Sequence, residues 1–305
     1  MEMGRIDLIE HHFRIPSPEH EIYYPPFQVN GIRVFVKRDD LIHPLVSGNK
    51  WRKMQGYIKV AFDSGYDTLV TFGGAFSNHL LATAAAGSIF GLKTKGIIKG
   101  LHADLNNPVL TLCRIFGMTC EIVSSEEYND VKRAHSQDTG ANYWIPEGGY
   151  GHTGALGCEQ LIEELQQSYD HLFCSVGTGT TLAGICNGLI KKGLKTEIQG
   201  ISALKGADSL MNEIQELTPQ GTFNLHRNYH HGGYAKVSPE LVKFIGDFTA
   251  ATGILLDPVY TGKMFYALSD LISGGKMPEG SRILCVHTGG LTGLMNERML
   301  NKFSQ

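Results

Sequence analysis

A chain of 305 residues is long enough for two domains or one large α/β unit, and 42% hydrophobic residues can fill a sizeable core. Only 19% of residues are charged, which argues against disorder, and 27 Lys plus Arg against 30 Asp plus Glu give a formal charge of −3. That balance leaves no basic excess to neutralise a nucleic-acid backbone.

The N-terminus, Met1 to Asp7, has no apolar core of a signal peptide. The longest nearly apolar stretch, Leu80 to Leu92, is too short to span a bilayer and carries Gly and Ser, so a soluble cytoplasmic protein is expected. Strands are expected at 34–36, 68–72, 95–98, 120–123, 172–176, 198–201 and 283–286, where short apolar runs occur. Helices are expected near 51–64, 78–90, 107–117, 153–168, 181–192, 207–217, 238–251, 263–273 and 291–301. This alternation predicts an α/β fold with two open, mostly parallel twisted sheets covered by helices on both faces. Crossings near residue 50 and at the Gly-rich segment 146–151 predict a large domain from 1–50 and 150–305, with 51–149 as a smaller inserted α/β domain. The six cysteines lack C-x-x-C spacing, and Cys174 and Cys285 fall inside apolar strand-like runs, which disfavours a disulfide framework or a zinc site.

In open parallel sheets, ligands bind beyond the carboxyl ends of strands, so the chemistry is sought in the loops that follow them. Ser47-Gly48-Asn49-Lys50 places a lysine between a small flexible turn and a helical segment. It reads either as an ordinary helix start or as a lysine poised to form a Schiff base with an aldehyde cofactor such as pyridoxal phosphate. Gly73-Gly74-Ala75-Phe76-Ser77-Asn78-His79 follows a strand and opens a helix; its Ser77 or Asn78 either caps that helix or frames a substrate carboxylate and a ring hydroxyl. His79 is open to an ordinary helical role as well. Gly177, Thr178, Gly179, Thr180 and Thr181 lie at a strand-to-helix junction, where curled backbone N–H groups, a helix N-terminus and hydroxyls make an anion cradle of phosphate size.

His230 and His231 precede Gly232-Gly233-Tyr234, and no carboxylate or cysteine partner accompanies them, so no metal is expected. Asp257-Pro258-Val259-Tyr260-Thr261 sets a tyrosine after a proline turn, suited either to core packing or to stacking on a flat ring. Val286-His287-Thr288-Gly289-Gly290 brings a hydroxyl, rather than a carboxylate, to the place where a pyridine nitrogen would sit. A hydroxyl need not keep that nitrogen protonated, which makes the ring a weaker electron sink and suits eliminations with a good leaving group.

Taken together, Lys-Arg-Asp-Asp at 37–40, Ser-Gly-Asn-Lys at 47–50, Ser-Asn-His at 77–79, Gly-Thr-Gly-Thr-Thr at 177–181, Asp-Pro-Val-Tyr at 257–260 and His-Thr-Gly-Gly at 287–290 resemble a known pattern. It is that of the pyridoxal-phosphate family of D-cysteine desulfhydrase and 1-aminocyclopropane-1-carboxylate deaminase, with the tryptophan synthase β-like fold. The resemblance implies a lyase or deaminase of amino-acid metabolism, classed among lyases or hydrolases, that carries pyridoxal 5'-phosphate. It assigns Lys50 as Schiff-base lysine and α-proton base, and Asn78 to the ring hydroxyl. Ser77 and His79 go with Asn78 to the substrate-carboxylate loop, and residues 177–181 to the phosphate. Tyr260 stacks on the ring, Tyr234 is a second active-site tyrosine, and Thr288 partners the ring nitrogen; Ser77, Tyr234 and Tyr260 join Lys50 as the catalytic set.

Deaminases of this family carry Glu after the Asp-Pro-Val-Tyr tyrosine and Leu after the final-loop histidine. Here Thr261 and Thr288 stand there, as in the desulfhydrase branch. β-Elimination on D-cysteine is therefore expected, with cyclopropane ring opening or a non-catalytic cofactor-binding protein as alternatives. A homodimer is the default for such a chain. Two segments depart from both branches: Phe76 stands where Gln is usual, and the last loop reads Gly-Gly-Leu-Thr-Gly-Leu instead of Gly-Gly-Ala-Pro-Ala-Leu.

Overall fold

The computed structural model describes residues 5–134, 140–206 and 208–303. Two sheets form, one from residues 68–145 and the other from the stretches on either side, 19–37 and 171–286. The four-stranded sheet is wholly parallel, in the order β5 (Thr119–Val123), β4 (Lys93–Lys99), β3 (Thr68–Gly73), β6 (Asn142–Ile145). The six-stranded sheet runs β1 (Glu19–Ile22), β2 (Arg33–Lys37), β10 (Arg282–Val286), β7 (His171–Val176), β8 (Glu197–Ser202), β9 (Asn224–His226). All its pairings are parallel except the antiparallel edge of β1 on β2. Strand β7 is buried at every position, as a central parallel strand covered on both faces must be. Two apolar clusters flank the larger sheet, one around Phe248 and Phe265, the other around Leu172, Ile185 and Leu284.

The seven expected strands are present. Strands β1, β6 and β9 and helices α1 (Arg5–His12) and α5 (Ser125–Ala134) add to the expected elements. Polar β1, Glu-His-Glu-Ile, is held by pairing to β2 and offers no apolar run to read. Helix α3 (Asn78–Phe90) matches its expected bounds, and α2 (Asn49–Asp63) and α7 (Thr180–Lys192) begin one or two residues early. Helix α6 (His152–Glu163) stops before 168, and α8 (Leu210–Leu217) is shorter than expected, position 207 lying outside the described residues.

The expected helix 291–301 is broken. A 3-10 turn, Thr292–Met295, is followed by Asn296 in extended backbone (φ −88°, ψ 116°) and then by the single turn α11 (Glu297–Leu300). Asn296 restarts the helix because its side-chain oxygen accepts the Arg298 N–H at 3.0 Å, an N-cap in place of continuation.

A buried ionic cluster pins α2 to the larger sheet. Arg52, with no exposed side-chain surface, donates to Asp39 Oδ1 at 2.8 Å and to Glu164 Oε2 at 2.8 Å. Lys37, equally buried, lies 3.1 Å from Glu164 and donates to the Ser17 carbonyl at 2.7 Å. The Lys-Arg-Asp-Asp segment thus plays a structural part, holding in place the helix on which Lys50 rides.

Candidate active site

The carboxyl ends of β3, β7 and β10 converge on a cavity of 590 Å³, within the range of small-molecule sites. The Ser-Gly-Asn-Lys turn reaches it by docking onto the final loop. Asn49 N–H donates to the Thr288 carbonyl at 3.1 Å, Gly48 N–H to the Asp39 carbonyl at 2.9 Å, and Gly290 N–H to Ser47 Oγ at 3.1 Å. Gly48 has φ +61°, and a Cβ there would collide with the Thr288 carbonyl; only glycine allows this approach.

Lys50 is the second residue of α2 and lines the cavity. Burial pushes its amine down to about 7, and the charge of Lys53 pushes in the same direction, so a large neutral fraction exists near neutral pH. Its Nζ donates to Asn49 Oδ1 at 2.8 Å, while Asn49 Nδ2 donates to Thr181 Oγ1 at 3.0 Å. Asn49 therefore links the lysine directly to the glycine-threonine loop. Lys53, one helical turn on, is buried, lines the same cavity and donates to the Gly148 carbonyl at 2.9 Å. Its i+3 spacing from Lys50 is the signal in the sequence that points to it.

Gly177, Thr178, Gly179 and Thr181 line the cavity; Thr180 does not, being fully buried with its hydroxyl 3.2 Å from that of Thr178. Gly179 (φ +81°) caps the 13-residue α7, whose first N–H groups face the loop. Across the cavity Thr288 Oγ1 lies 3.3 Å from Ser175 Oγ. Ser175, inconspicuous in the sequence because it lies within an apolar strand, makes this a hydroxyl pair.

Ser77 caps α3: its oxygen accepts the N–H groups of His79 at 3.2 Å and Leu80 at 3.3 Å. With both lone pairs used, its O–H remains free to donate into the cavity that it lines. His79 is 2% exposed, and its ring is held well below its ordinary value by burial and by Lys50 and Lys53. Thr71 donates its hydroxyl to the Ile145 carbonyl at 2.8 Å, so His79 Nε2–H must donate to Thr71 Oγ1 at 2.9 Å. Nδ1 is left as a lone pair, without a partner among the described residues. His79 lines the cavity with Ser77 and Asn78, as the expected substrate-carboxylate loop, but its ring offers no free donor there.

Tyr260 lines the cavity beside Gly177, and Tyr234 meets it edge-on at 6.3 Å between ring centroids. Burial raises the Tyr260 phenol well above its ordinary value, and its coupling to Tyr234 adds to that. Lys263, fully buried, donates to the Gly233 carbonyl at 2.8 Å and to that of Ala203 at 3.3 Å, which ties down the loop carrying Tyr234. Thr261 is not brought to the cavity. Its hydroxyl accepts from Asp257 N–H at 3.0 Å and donates to Asp257 Oδ2 at 2.8 Å, closing the α10 (Thr261–Ser273) cap. Thr261, expected from its place after Tyr260 to bear on the substrate, does not reach the cavity for that reason.

The set fits pyridoxal phosphate on chemical grounds. An amine lowered to about 7 suits an aldehyde, and the Lys53 amine, the first N–H groups of α7 and the threonine hydroxyls suit a phosphate. Among the described residues, no group of three or more His, Cys, Asp or Glu could hold a metal ion, and no helix is long and apolar enough to cross a membrane.

Residues 22–289 match the family model described as pyridoxal-phosphate dependent enzyme. The chain is 31% identical to the bifunctional D-cysteine desulfhydrase/1-aminocyclopropane-1-carboxylate deaminase, mitochondrial, of Arabidopsis thaliana, over 93% of this chain and 78% of that one. It is 31% identical to a Thermotoga maritima protein provisionally named 1-aminocyclopropane-1-carboxylate deaminase, over 87% and 90% of the two chains. Among solved structures, a homologue of that deaminase superposes with a TM-score of 0.79 at 27% identity, over 99% of this chain and 100% of that one. Threonine deaminase isoform 2 of Solanum lycopersicum shares the fold, with a TM-score of 0.69 at 15% identity over 95% and 89% of the two chains.

Proposed function

Because this chain belongs to the pyridoxal-phosphate-dependent enzymes, in the family of D-cysteine desulfhydrases and 1-aminocyclopropane-1-carboxylate deaminases, we propose that it catalyses β-elimination on a small amino acid, D-cysteine foremost. The overall change is D-cysteine plus water to pyruvate, hydrogen sulfide and ammonia. Pyridoxal phosphate supplies an aldehyde that links to amines and a ring that withdraws electrons from the substrate Cα. The observation that carries the reading is Lys50: an amine that burial and Lys53 lower to about 7, joined through Asn49 to the anion cradle.

Neutral Lys50 takes the α-proton, so turnover is expected to rise with pH through about 7 as the amine loses its own proton. Gly177, Thr178, Gly179 and Thr181 hold the phosphate with Lys53, and Tyr260 covers the ring. Asn78 serves the ring hydroxyl, and Ser77 directs its free O–H to the substrate carboxylate. The hydroxyl pair of Thr288 and Ser175 would serve as partner of the ring nitrogen, and a hydroxyl there would suit departure of a good leaving group such as sulfide. That pair supports elimination over ring opening; with Thr261 turned inward, the preference rests on Thr288.

The names of the relatives favour a second reading, deamination of 1-aminocyclopropane-1-carboxylate to α-ketobutyrate and ammonia. Purified enzyme assayed in parallel for sulfide from D-cysteine and for α-ketobutyrate decides between them. α-Ketobutyrate without sulfide overturns the first reading, and neither product together with retained cofactor points to a non-catalytic protein. The reading extends to a cytoplasmic homodimer with a large cofactor-binding domain, 1–50 and 150–305, and an inserted domain, 51–149. In support of that division, the four-stranded sheet draws only on residues 68–145.

A further inference from the structure

Asn78 and Thr292 are 214 positions apart and meet at the edge of the cavity. Asn78 is the first residue of α3 and lines the cavity; Thr292 opens the 3-10 turn of the final loop and is 3% exposed. Thr292 N–H donates to Asn78 Oδ1 at 3.2 Å, and its hydroxyl donates to the Phe76 carbonyl at 2.8 Å. A backbone N–H can only donate, so the amide oxygen of Asn78, and not its nitrogen, must face Thr292. Turning the amide over would set two donors against each other. The backbone of Gly290 closes the neighbouring side, where even a Cβ would lie 2.8 Å from Asn78 Nδ2.

We propose that Thr292 is a positioning residue: its N–H fixes the Asn78 amide so that Nδ2 is the group offered to the cofactor's ring hydroxyl. This rests on the reading that Asn78 serves that hydroxyl. The hydroxyl of Thr292 secures the loop that carries Ser77 and Asn78 by holding Phe76. Phe76 and Thr292 both depart from the family's sequence pattern, and here they are bonded to each other. Proline, usual at the second position, has neither the N–H nor the hydroxyl that make these two bonds. A donor at the ring hydroxyl favours its ionised form, so the arrangement has a spectroscopic consequence distinct from general stability.

The test uses holoenzyme and reads the pH profile of the visible band of bound pyridoxal phosphate, together with its dissociation constant. Asn78→Ala should weaken binding about tenfold and move the pH profile, as loss of a hydrogen bond to a charged group does. Thr292→Pro should move both in the same direction and add nothing in the Asn78→Ala background. Thr292→Val keeps the N–H and should leave the dissociation constant within about twofold, since the bond it retains is the one that orients the amide. If folded Thr292→Pro keeps the wild-type band and affinity while Asn78→Ala loses them, the role of Thr292 is overturned and that of Asn78 stands. If Asn78→Ala itself changes nothing, the reading of Asn78 fails and the proposal with it. Should Thr292→Pro not fold, hydrogen exchange of the Thr292 amide replaces it. Protection in wild type that is lost in Asn78→Ala supports the proposal, and equal exchange in the two overturns it.

Discussion

In the cofactor-free protein the Lys50 amine is pushed from 10.5 down to about 7, by burial first and by Lys53 second. In the unfolded chain the same amine keeps its ordinary value. Between the two values the unfolded chain holds a proton that the folded chain refuses. The contribution of Lys50 to stability is therefore complete above pH 10.5, falls away as the pH drops to about 7, and is flat below that. The gap corresponds to about 5 kcal/mol at ~1.4 kcal/mol per pH unit. Because the amine opens onto the cavity, solvent screening brings the expected loss to about 2–3 kcal/mol. Lys50→Met removes the titration and keeps the stem. Urea unfolding of wild type and variant, both without cofactor, should show the difference in stability moving by about 2–3 kcal/mol in favour of the variant as the pH is lowered across that window. Lys53 is lowered as well and loses a repulsive neighbour in the variant, so Lys53→Met and the double variant complete the cycle. A difference that stays constant across the window would refute a depressed Lys50.

Lys53→Met should weaken cofactor binding about tenfold or more, read by fluorescence titration, because a buried ammonium beside a phosphate is a charge-assisted partner; unchanged affinity would remove Lys53 from the cradle. Arg52→Met strands Asp39 and Glu164 without their guanidinium and should cost about 3–5 kcal/mol in chemical unfolding, while a cost under about 1 kcal/mol would show that the cluster relaxes freely. Ser77→Ala deletes the α3 cap, worth about 1 kcal/mol. If its free O–H also serves substrate, kcat/KM should fall by far more than that stability loss explains, and retained turnover would reduce Ser77 to a cap.

Much of this protein is legible in one dimension. Buried parallel strands read as apolar runs because both faces are covered, and β7 and β10 are legible on that ground alone. Edge strands such as β1 and β9 carry no such run, since pairing rather than burial makes them strands. The motifs mark Lys50, Ser77, Asn78, Gly177 to Thr181 and Thr288, because loops after parallel strands are where ligand groups lie, and Tyr260 through its proline turn between two helices. The same reading misplaces Thr261, whose hydroxyl is consumed by Asp257 four residues earlier, and does not foresee that the His79 ring is held by Thr71.

The sequence by itself determined the α/β class and the loops that bear chemistry, since these depend on residue type and local spacing, and its motifs carried the resemblance to the family and its cofactor. Tertiary structure decided which way each polar group faces. Asn49 bridges Lys50 to Thr181, Ser175 doubles Thr288, Lys263 anchors the Tyr234 loop, and Thr292 turns the amide of Asn78. Hydrogen bonds between residues far apart in the chain have no periodicity to betray them. They exist only once strands from distant stretches of chain bring their ends to one cavity.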